Sequence, residues 1–348
     1  MIAMYSLPLR LYHKYSILIY AIAVVSILMP YFINNPTGAN RWIYFGSIGV
    51  QPSEYAKWIS IILLARYLSD RKKRMDKLSS LFIPIAIIAS PALIVFGQPD
   101  LGTATIMMAP IIAILYWVNA RQYHLFLIIA PIISIITAFH TISFTIWAIV
   151  LTIVIILSEK KLWNGVVVFF GNIFLGLLAP VLWNVLQPYQ QKRILTLFNP
   201  ELDPLGAAYQ IIQSQTAIGS GGLFGKGWMQ GTQTHLKFLP VQESDFILSV
   251  IGEEFGFFTV LLVFIMYAFI IYKMLQFAYI TREKFASIIL VGVATIFLAQ
   301  IFVNSAMTVG LIPVKGLPLP FLSAGGSFLV SSFMMIGMVL NFASHWSD

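Results

Sequence analysis

One feature repeats from end to end of this chain: runs of about twenty mostly apolar residues, the length that crosses a hydrocarbon layer. They fall near 15–33, 53–69, 79–97, 101–118, 123–140, 142–157, 163–186, 245–272, 284–308 and 321–343. Only 10% of the 348 residues are charged and 59% are hydrophobic, whereas a soluble domain carries about 25% charged residues. No water-soluble core hides that much apolar surface. In lipid, a helix satisfies its backbone polar groups within its own segment. The reading is an all-α polytopic membrane protein of about ten transmembrane helices, a single domain over residues 1–348. The pair around 123–157 is the least clearly divided, because only "FHTISF" separates its halves.

The basic residues orient the bundle. With the N-terminus in the cytoplasm, fourteen of the 21 lysines and arginines lie inside and six outside, with Lys57 within a span. This is the bias that sets topology. The reverse orientation would expose "SDRKKRMDK" on the outside. An even number of spans returns the C-terminus to the cytoplasm. These inner loops account for the net charge of +8, so no nucleic-acid partner is called for. The chain has no cysteine, which excludes disulfides and thiolate metal sites. The opening "MIAMYSLPLRLYHKYS" lacks the compact apolar run and cleavage site of a signal peptide.

The longest segment between spans, 187–244, joins spans seven and eight and faces outward. "NPELDP" is rich in turn formers. "AAYQIIQSQTAI" has helical spacing and suits a helix along the membrane surface. "GSGGLFGKG" invites a phosphate-loop reading, but Ser220 stands where the first glycine is needed and Gly227 follows Lys226 in place of Ser or Thr. Its backbone amides with Lys226 still suit an anionic group such as a lipid-linked pyrophosphate.

The outward helix ends hold the polar residues that the apolar runs leave over. "GANRWIYFGSIGVQPSEYAK" contributes Arg41, Glu54 and Lys57. Pro52-Ser53-Glu54 is a helix start with its acid in the first turn, and Glu54 and Lys57, three apart, share a face and can pair. A structural ion pair explains them about as well as a site role. In "GQPDLGT", Asp100 suits a helix cap. In "VKGLPLPFLSAGGS", Lys315 precedes a rigid proline loop, and Ser323 to Ser327 allow close helix packing.

The stretch "KFLPVQESDFILSVIGEEFG" is the most pointed. Asp245 lies at a helix start, where an N-cap is its plain structural role. Caps do not explain Glu253 and Glu254, about 12 Å further along at 1.5 Å per residue. A carboxylate in hydrocarbon costs a few kcal/mol, so both must face a polar cavity or meet a cation. Eight helical steps leave Glu253 about 80° from Asp245, which makes Glu253 the one expected to share its cavity. Carboxylates beside scarce outward cations suit an anionic, membrane-anchored substrate with hydroxyls.

At these residues the chain resembles the SEDS (shape, elongation, division and sporulation) family. The similarity is densest from "RILTLFNPELDPLGAAYQIIQSQTAIGSGGLFGKGWMQGTQTHLKFLP" to "VQESDFILSVIGEEFG". "GANRWI", "QPSEYAK", "QPDLGT" and "VNSAMTVGLIPVKGLPLPFLSAGGS" match in the same order, and "GTQTHLKFLP" is closer to the RodA branch than to FtsW. The resemblance runs from about Met4 to Phe342. It implies a peptidoglycan glycosyltransferase of the bacterial cytoplasmic membrane that polymerises lipid II, the undecaprenyl-pyrophosphate-linked disaccharide peptide, on the outer face. It implies a class B penicillin-binding protein as transpeptidase partner, among other elongation-complex membrane proteins. It implies a catalytic role for Asp245 and substrate-cavity roles for Arg41, Glu54, Lys57, Asp100 and Lys226.

Three positions depart from the family pattern. Glu243-Ser244 replaces His-Thr before the aspartate, and a carboxylate there raises the pKa of Asp245 if it lies close. Ala324 replaces a tyrosine before two glycines, which is expected to enlarge the cavity. One span, where members usually carry three, precedes the "GANRW" loop, and the middle of the chain holds about two extra.

The expected chemistry is inverting glycosyl transfer, with Asp245 as general base and cations such as Arg41, Lys226 or Lys315 stabilising the leaving pyrophosphate. Glu253, Glu254 and Ser323 are further expected substrate contacts. No cofactor is called for; a divalent cation sharing the pyrophosphate charge stays open, without a diagnostic ligand cluster. Two other functions compete. A flippase of lipid-linked precursors also needs intramembrane charges, but the inner halves of the spans hold few polar residues. A scaffold that only recruits a synthase leaves Glu253 and Glu254 without a role.

Overall fold

The computed structural model describes every residue except 34–40, 47, 72–76, 160, 207, 236, 237 and 345–348. Helices dominate it, and each of the ten apolar runs contains one. Six are long and apolar enough to cross a membrane: Leu9–Tyr31, Leu78–Gly97, Thr141–Ser158, Ile247–Ile280, Lys284–Thr308 and Gly326–Ser344. Leu162–Leu177 and Ala179–Val185, bent by 46°, make a seventh if counted as one span. The remaining runs fall short for physical reasons. Pro110 opens a new helix after Leu101–Met108 and divides that run. Gln122–Thr137 is a shorter apolar helix. Pro52–Ser69 carries Glu54, Lys57 and Arg66 within 18 residues.

Lys284–Thr308 forms the centre of the bundle. It packs against Pro52–Ser69, Pro110–Trp117 and Ile247–Ile280, and most of its side chains are buried. A second, smaller core lies in the middle of the chain. Gln122–Thr137, Thr141–Ser158 and Leu162–Leu177 pack on one another around Ala130, Trp147, Leu151 and Ile155. Buried polar groups tie this trio together: Trp147 Nε1 donates to Ser134 Oγ at 2.8 Å, and Ser134 Oγ donates to Asn172 Oδ1 at 3.3 Å. Such bonds hold apolar helices together where no hydrophobic force acts between them.

Two regions read as loops from sequence have regular structure. Ile43–Phe45 and Ile48–Val50 form a two-stranded antiparallel hairpin before Pro52–Ser69. The 187–244 segment folds into helices Pro188–Phe198, Tyr209–Gly221 and Thr232–His235. "AAYQIIQSQTAI" is helical as its spacing predicts. It packs against the first part of Ile247–Ile280, and glycine permits the contact: a Cβ on Gly221 would stand 1.9 Å from the Gly252 carbonyl oxygen.

The 34 residues of Ile247–Ile280 would make one helix about 51 Å long, well beyond a hydrocarbon core of about 30 Å. The helix breaks at Gly256, where φ is 77° and ψ −174°. A break leaves backbone donors and acceptors unpaired, and these are costly in an apolar setting. The glycine-rich loop supplies their partners. Lys226 N donates to the Glu253 carbonyl at 3.0 Å and Gly227 N to that of Glu254 at 2.9 Å. Phe257 N donates back to the Gly222 carbonyl at 3.0 Å and Phe258 N to that of Leu223 at 3.3 Å. "GSGGLFGKG" thus docks onto a broken helix, and its glycines serve close backbone approach.

Candidate active site

Asp245 sits in the turn just before Ile247–Ile280. The N-cap of that helix is Phe246, so the capping role read from sequence does not hold. The turn is pinned from two sides. Ser323 Oγ donates to the Ser244 carbonyl at 2.5 Å and accepts from Leu319 N at 2.7 Å, and Ala324 N donates to the Glu243 carbonyl at 2.8 Å. Asn304, wholly buried on the central helix, donates through Nδ2 to the carbonyls of Asp245 at 2.9 Å and Leu317 at 2.7 Å. Three rigid pieces therefore hold the Asp245 backbone. Its side chain accepts from Ser244 Oγ through Oδ1 at 3.2 Å. Among the described residues Oδ2 takes no hydrogen bond.

Asp245 borders a cavity of about 580 Å³. Arg41, Asp100, Arg193, Lys315 and Gly316 line it as well. Arg41 Nε is held by the Gln98 carbonyl at 3.0 Å, and Arg193 by the Val314 carbonyl at 2.8 Å. Asp100 is the N-cap of Leu101–Met108: Oδ1 accepts from Thr103 N and Oδ2 from Thr103 Oγ1, both at 3.0 Å, and Gln51 Nε2 adds a bond at 3.1 Å. Its carboxylate is well occupied, while that of Asp245 is not. Burial pushes the Asp245 carboxyl above the usual aspartate range, with the Ser244 hydroxyl and the Arg193 charge pulling partly back. Burial likewise lowers the Lys315 ammonium. The cavity thus gathers three cations around a carboxylate whose basicity has been increased.

Several residues expected here lie elsewhere. Glu253 does not share the Asp245 cavity. It is 0% exposed and closes the glycine-rich loop instead: Oε1 accepts from Lys226 Nζ at 2.8 Å and Gln233 N at 3.0 Å, and Oε2 from Thr234 N at 3.1 Å. Lys226 also donates to Thr232 Oγ1 at 2.8 Å, so it is a clamp and lines no part of the cavity. Glu254 accepts a long bond from Thr234 Oγ1 at 3.5 Å and belongs to the same cluster. Glu54 and Lys57 form a buried pair at 2.6 Å with side chains 4% and 0% exposed. Lys57 Nζ lies 5.5 Å from the centre of the Phe328 ring, and neither residue lines the cavity.

Ser323 acts on the turn that carries Asp245 and is absent from the cavity lining. Glu243 is exposed, and burial, not Glu243, raises Asp245. Ala324 is exposed and outside the lining, so its small size does not enlarge the cavity. Among the described residues no group of three or more His, Asp or Glu stands where it could hold a metal ion. Sequence reasoning missed Arg193 as a site residue. Its signal was available, since it opens the "RIL" stretch and outward cations are scarce.

Known proteins share this arrangement of helices. The chain superposes on a chain of a peptidoglycan synthase complex, solved for the coordination of polymerization and crosslinking, with a TM-score of 0.72 at 22% identity, covering 99% of this chain and 85% of that one. It superposes on the Thermus thermophilus rod shape determining protein RodA with a TM-score of 0.61 at 20% identity, covering 99% and 83%. In sequence it is 33% identical over 347 residues to the peptidoglycan glycosyltransferase MrdB of Escherichia coli K12, covering 99% of this chain and 82% of that protein. It is 32% identical to stage V sporulation protein E of Bacillus subtilis, covering 95% and 79%. The model of the cell cycle protein family of FtsW, RodA and SpoVE matches residues 1–147 and 142–348, and this chain belongs to that family.

Proposed function

We propose that this protein is a peptidoglycan glycosyltransferase that joins lipid II disaccharide units into glycan strands during cell elongation. The observation that carries the reading is the cavity in which Asp245 stands among Arg41, Arg193 and Lys315. Asp245 is the general base. Its Oδ2 takes the proton of the acceptor N-acetylglucosamine 4-hydroxyl as that oxygen attacks C1 of the donor N-acetylmuramic acid. The bond from C1 to the lipid pyrophosphate breaks with inversion, and the cations stabilise the leaving charge. A general base is worth about 10²–10⁴-fold, and a carboxylate raised by burial is a stronger one. Asp100 orders the cavity wall through its cap. Ser323 and Asn304 hold the base in place.

The full-length similarity to named glycosyltransferases supports the enzyme class. The ten-span reading, with both termini cytoplasmic and the Asp245 end outside, is supported by the distribution of lysine and arginine. The break at Gly256 leaves 24 residues to Ile280, about 36 Å, a suitable length for one span of such a bundle. A class B penicillin-binding protein is the proposed transpeptidase partner. Labelled lipid II in proteoliposomes of purified protein tests the class. Muramidase-sensitive polymer is expected, and translocation of lipid II without polymer would replace the polymerase with a flippase.

A further inference from the structure

A second cavity, of about 1060 Å³, opens at the other end of the bundle. Tyr279 lies at the far end of Ile247–Ile280 from Asp245, and Trp117 ends the helical run that starts beside Asp100. Both line this cavity. So does Glu159, the C-cap of the apolar helix Thr141–Ser158. The cavity therefore lies where that helix leaves hydrocarbon, at the level that tyrosine and tryptophan favour.

Its polar groups are of both signs. The Arg121 guanidinium donates to the Ser158 carbonyl at 2.7 Å and lies 5.7 Å from the centre of the Tyr123 ring. Among the described residues Glu159 accepts one weak bond, from Lys161 N at 3.3 Å. Both charges act on the Tyr123 hydroxyl, yet they form no ion pair with each other. Tyr123 is 6% exposed, lines the cavity, and among the described residues its hydroxyl has no hydrogen-bond partner. A buried hydroxyl without a partner is unfavourable, so a ligand that supplies one is favoured.

An apolar groove of about 240 Å³ adjoins the cavity and shares Ile156 and Glu159 with it. Thr141–Ser158 and Leu162–Leu177 wall it, with Phe169 and Phe170 along one side. Gly165 keeps it open, since a Cβ there would stand 2.8 Å from Ile155 Cγ2. Among the described residues the cavity carries Arg121 and Glu159, and the groove adds Lys161 at its mouth. Cations for a phosphate, a carboxylate for an ammonium and an apolar groove at a membrane boundary match one class of molecule.

We propose that this cavity binds a phospholipid with a zwitterionic phosphoethanolamine headgroup, the phosphate at Arg121 and the Tyr123 hydroxyl, the ammonium at Glu159 and an acyl chain in the groove beside Gly165. An anionic headgroup would leave Glu159 facing like charge, and a quaternary ammonium would offer it no N–H. The phosphoethanolamine group could belong to a lipid or to a soluble ester, and the groove favours the lipid.

Native mass spectrometry of the full chain, released from detergent with equimolar phosphatidylethanolamine, phosphatidylglycerol and phosphatidylcholine, tests this. The expected result is preferential retention of one phosphatidylethanolamine. Arg121→Gln lowers that retention about tenfold, the scale of one charged hydrogen bond. Glu159→Gln abolishes the preference among the three lipids, and Gly165→Leu lowers retention of all of them. Thermal melting identifies any variant that fails to fold, and Glu159→Gln, at a half-buried helix end, carries the test if Arg121→Gln does so. Equal retention of the three lipids, unchanged by Glu159→Gln, overturns the proposal. Free O-phosphoethanolamine is the second probe: failure to displace the lipid supports a lipid ligand, and displacement at matched concentration overturns it in favour of a soluble ester.

Discussion

At the scale of single residues, the two strongest carboxylate signals in the chain have opposite fates. Asp245 is kept short of partners and Glu253 is saturated with them. A base needs the first condition and a structural anchor the second. Because burial raises the Asp245 pKa, the native state binds a proton that the unfolded chain has already released. Stability from this group is then fully present below the ordinary aspartate pKa of about 3.9, and it is lost as pH rises through the raised native value. Asp245→Asn should therefore melt at higher temperature than wild type at neutral pH. The gap should close as pH falls through the raised value, and thermal melts across the acidic range check this. A gap that widened toward acid would contradict the assigned direction.

Glu54 and Lys57 give a second prediction at this scale. Breaking a buried pair by removing one partner costs about 3–5 kcal/mol, because the other charge is stranded. Lys57→Met alone should destabilise by that order, and Glu54→Gln with Lys57→Met should recover part of the loss. Denaturation of Lys57→Met, Glu54→Gln and the double variant in one detergent is the comparison. If the double variant is as unstable as the sum of the single ones, the pair is not the coupled structural unit described.

At the scale of elements, the helix broken at Gly256 explains what the linear sequence could not. "GSGGLFGKG" and "IGEEFG" are about 30 residues apart, and each is anomalous alone. Together they make one unit, in which the break exposes backbone groups that the glycine loop satisfies and Glu253 ties the loop down through Lys226. Gly256→Ala places a β-carbon at φ 77° and 2.3 Å from Gly225 N, so it should loosen this unit. Proteolysis within 221–235 is expected to rise severalfold, and no change would show that the loop is held by something else.

The same comparison shows what sequence could and could not convey. Helices were legible because apolar runs carry their own length scale. Asp100 was legible as a cap because capping is local. Pro52 and Glu54 mark their helix start for the same reason. Glu253 was misplaced because helical angle alone fixes a direction and not a partner, and its partner comes from another segment. The Ser323 and Asn304 contacts that set the Asp245 turn span 79 and 59 positions of sequence. The hairpin at 43–50 was hidden because its strands are only three residues each.

At the scale of the molecule, the bundle separates two kinds of polar space. The Asp245 cavity gathers cations around a carboxylate at one end, and the Arg121 and Glu159 cavity lies at the other. The central helix Lys284–Thr308 supplies Asn304 to the first end and packs through the core between them. Arg193, contributed by the 187–244 segment, brings that segment into the site. Arg193→Gln should thus weaken polymerisation by roughly tenfold, the scale of one charge-assisted hydrogen bond lost, measured at equal incorporation because the bond to the Val314 carbonyl is lost as well. A rate equal to wild type would remove Arg193 from the substrate's path.

The most direct test of the central claim is polymerisation of labelled lipid II by purified Asp245→Asn protein in proteoliposomes, compared with wild type at equal incorporation. A rate lower by about 10²–10⁴-fold, with lipid II binding retained, is the result expected for loss of a general base. Polymerisation at the wild-type rate would contradict the assignment of Asp245 as the base.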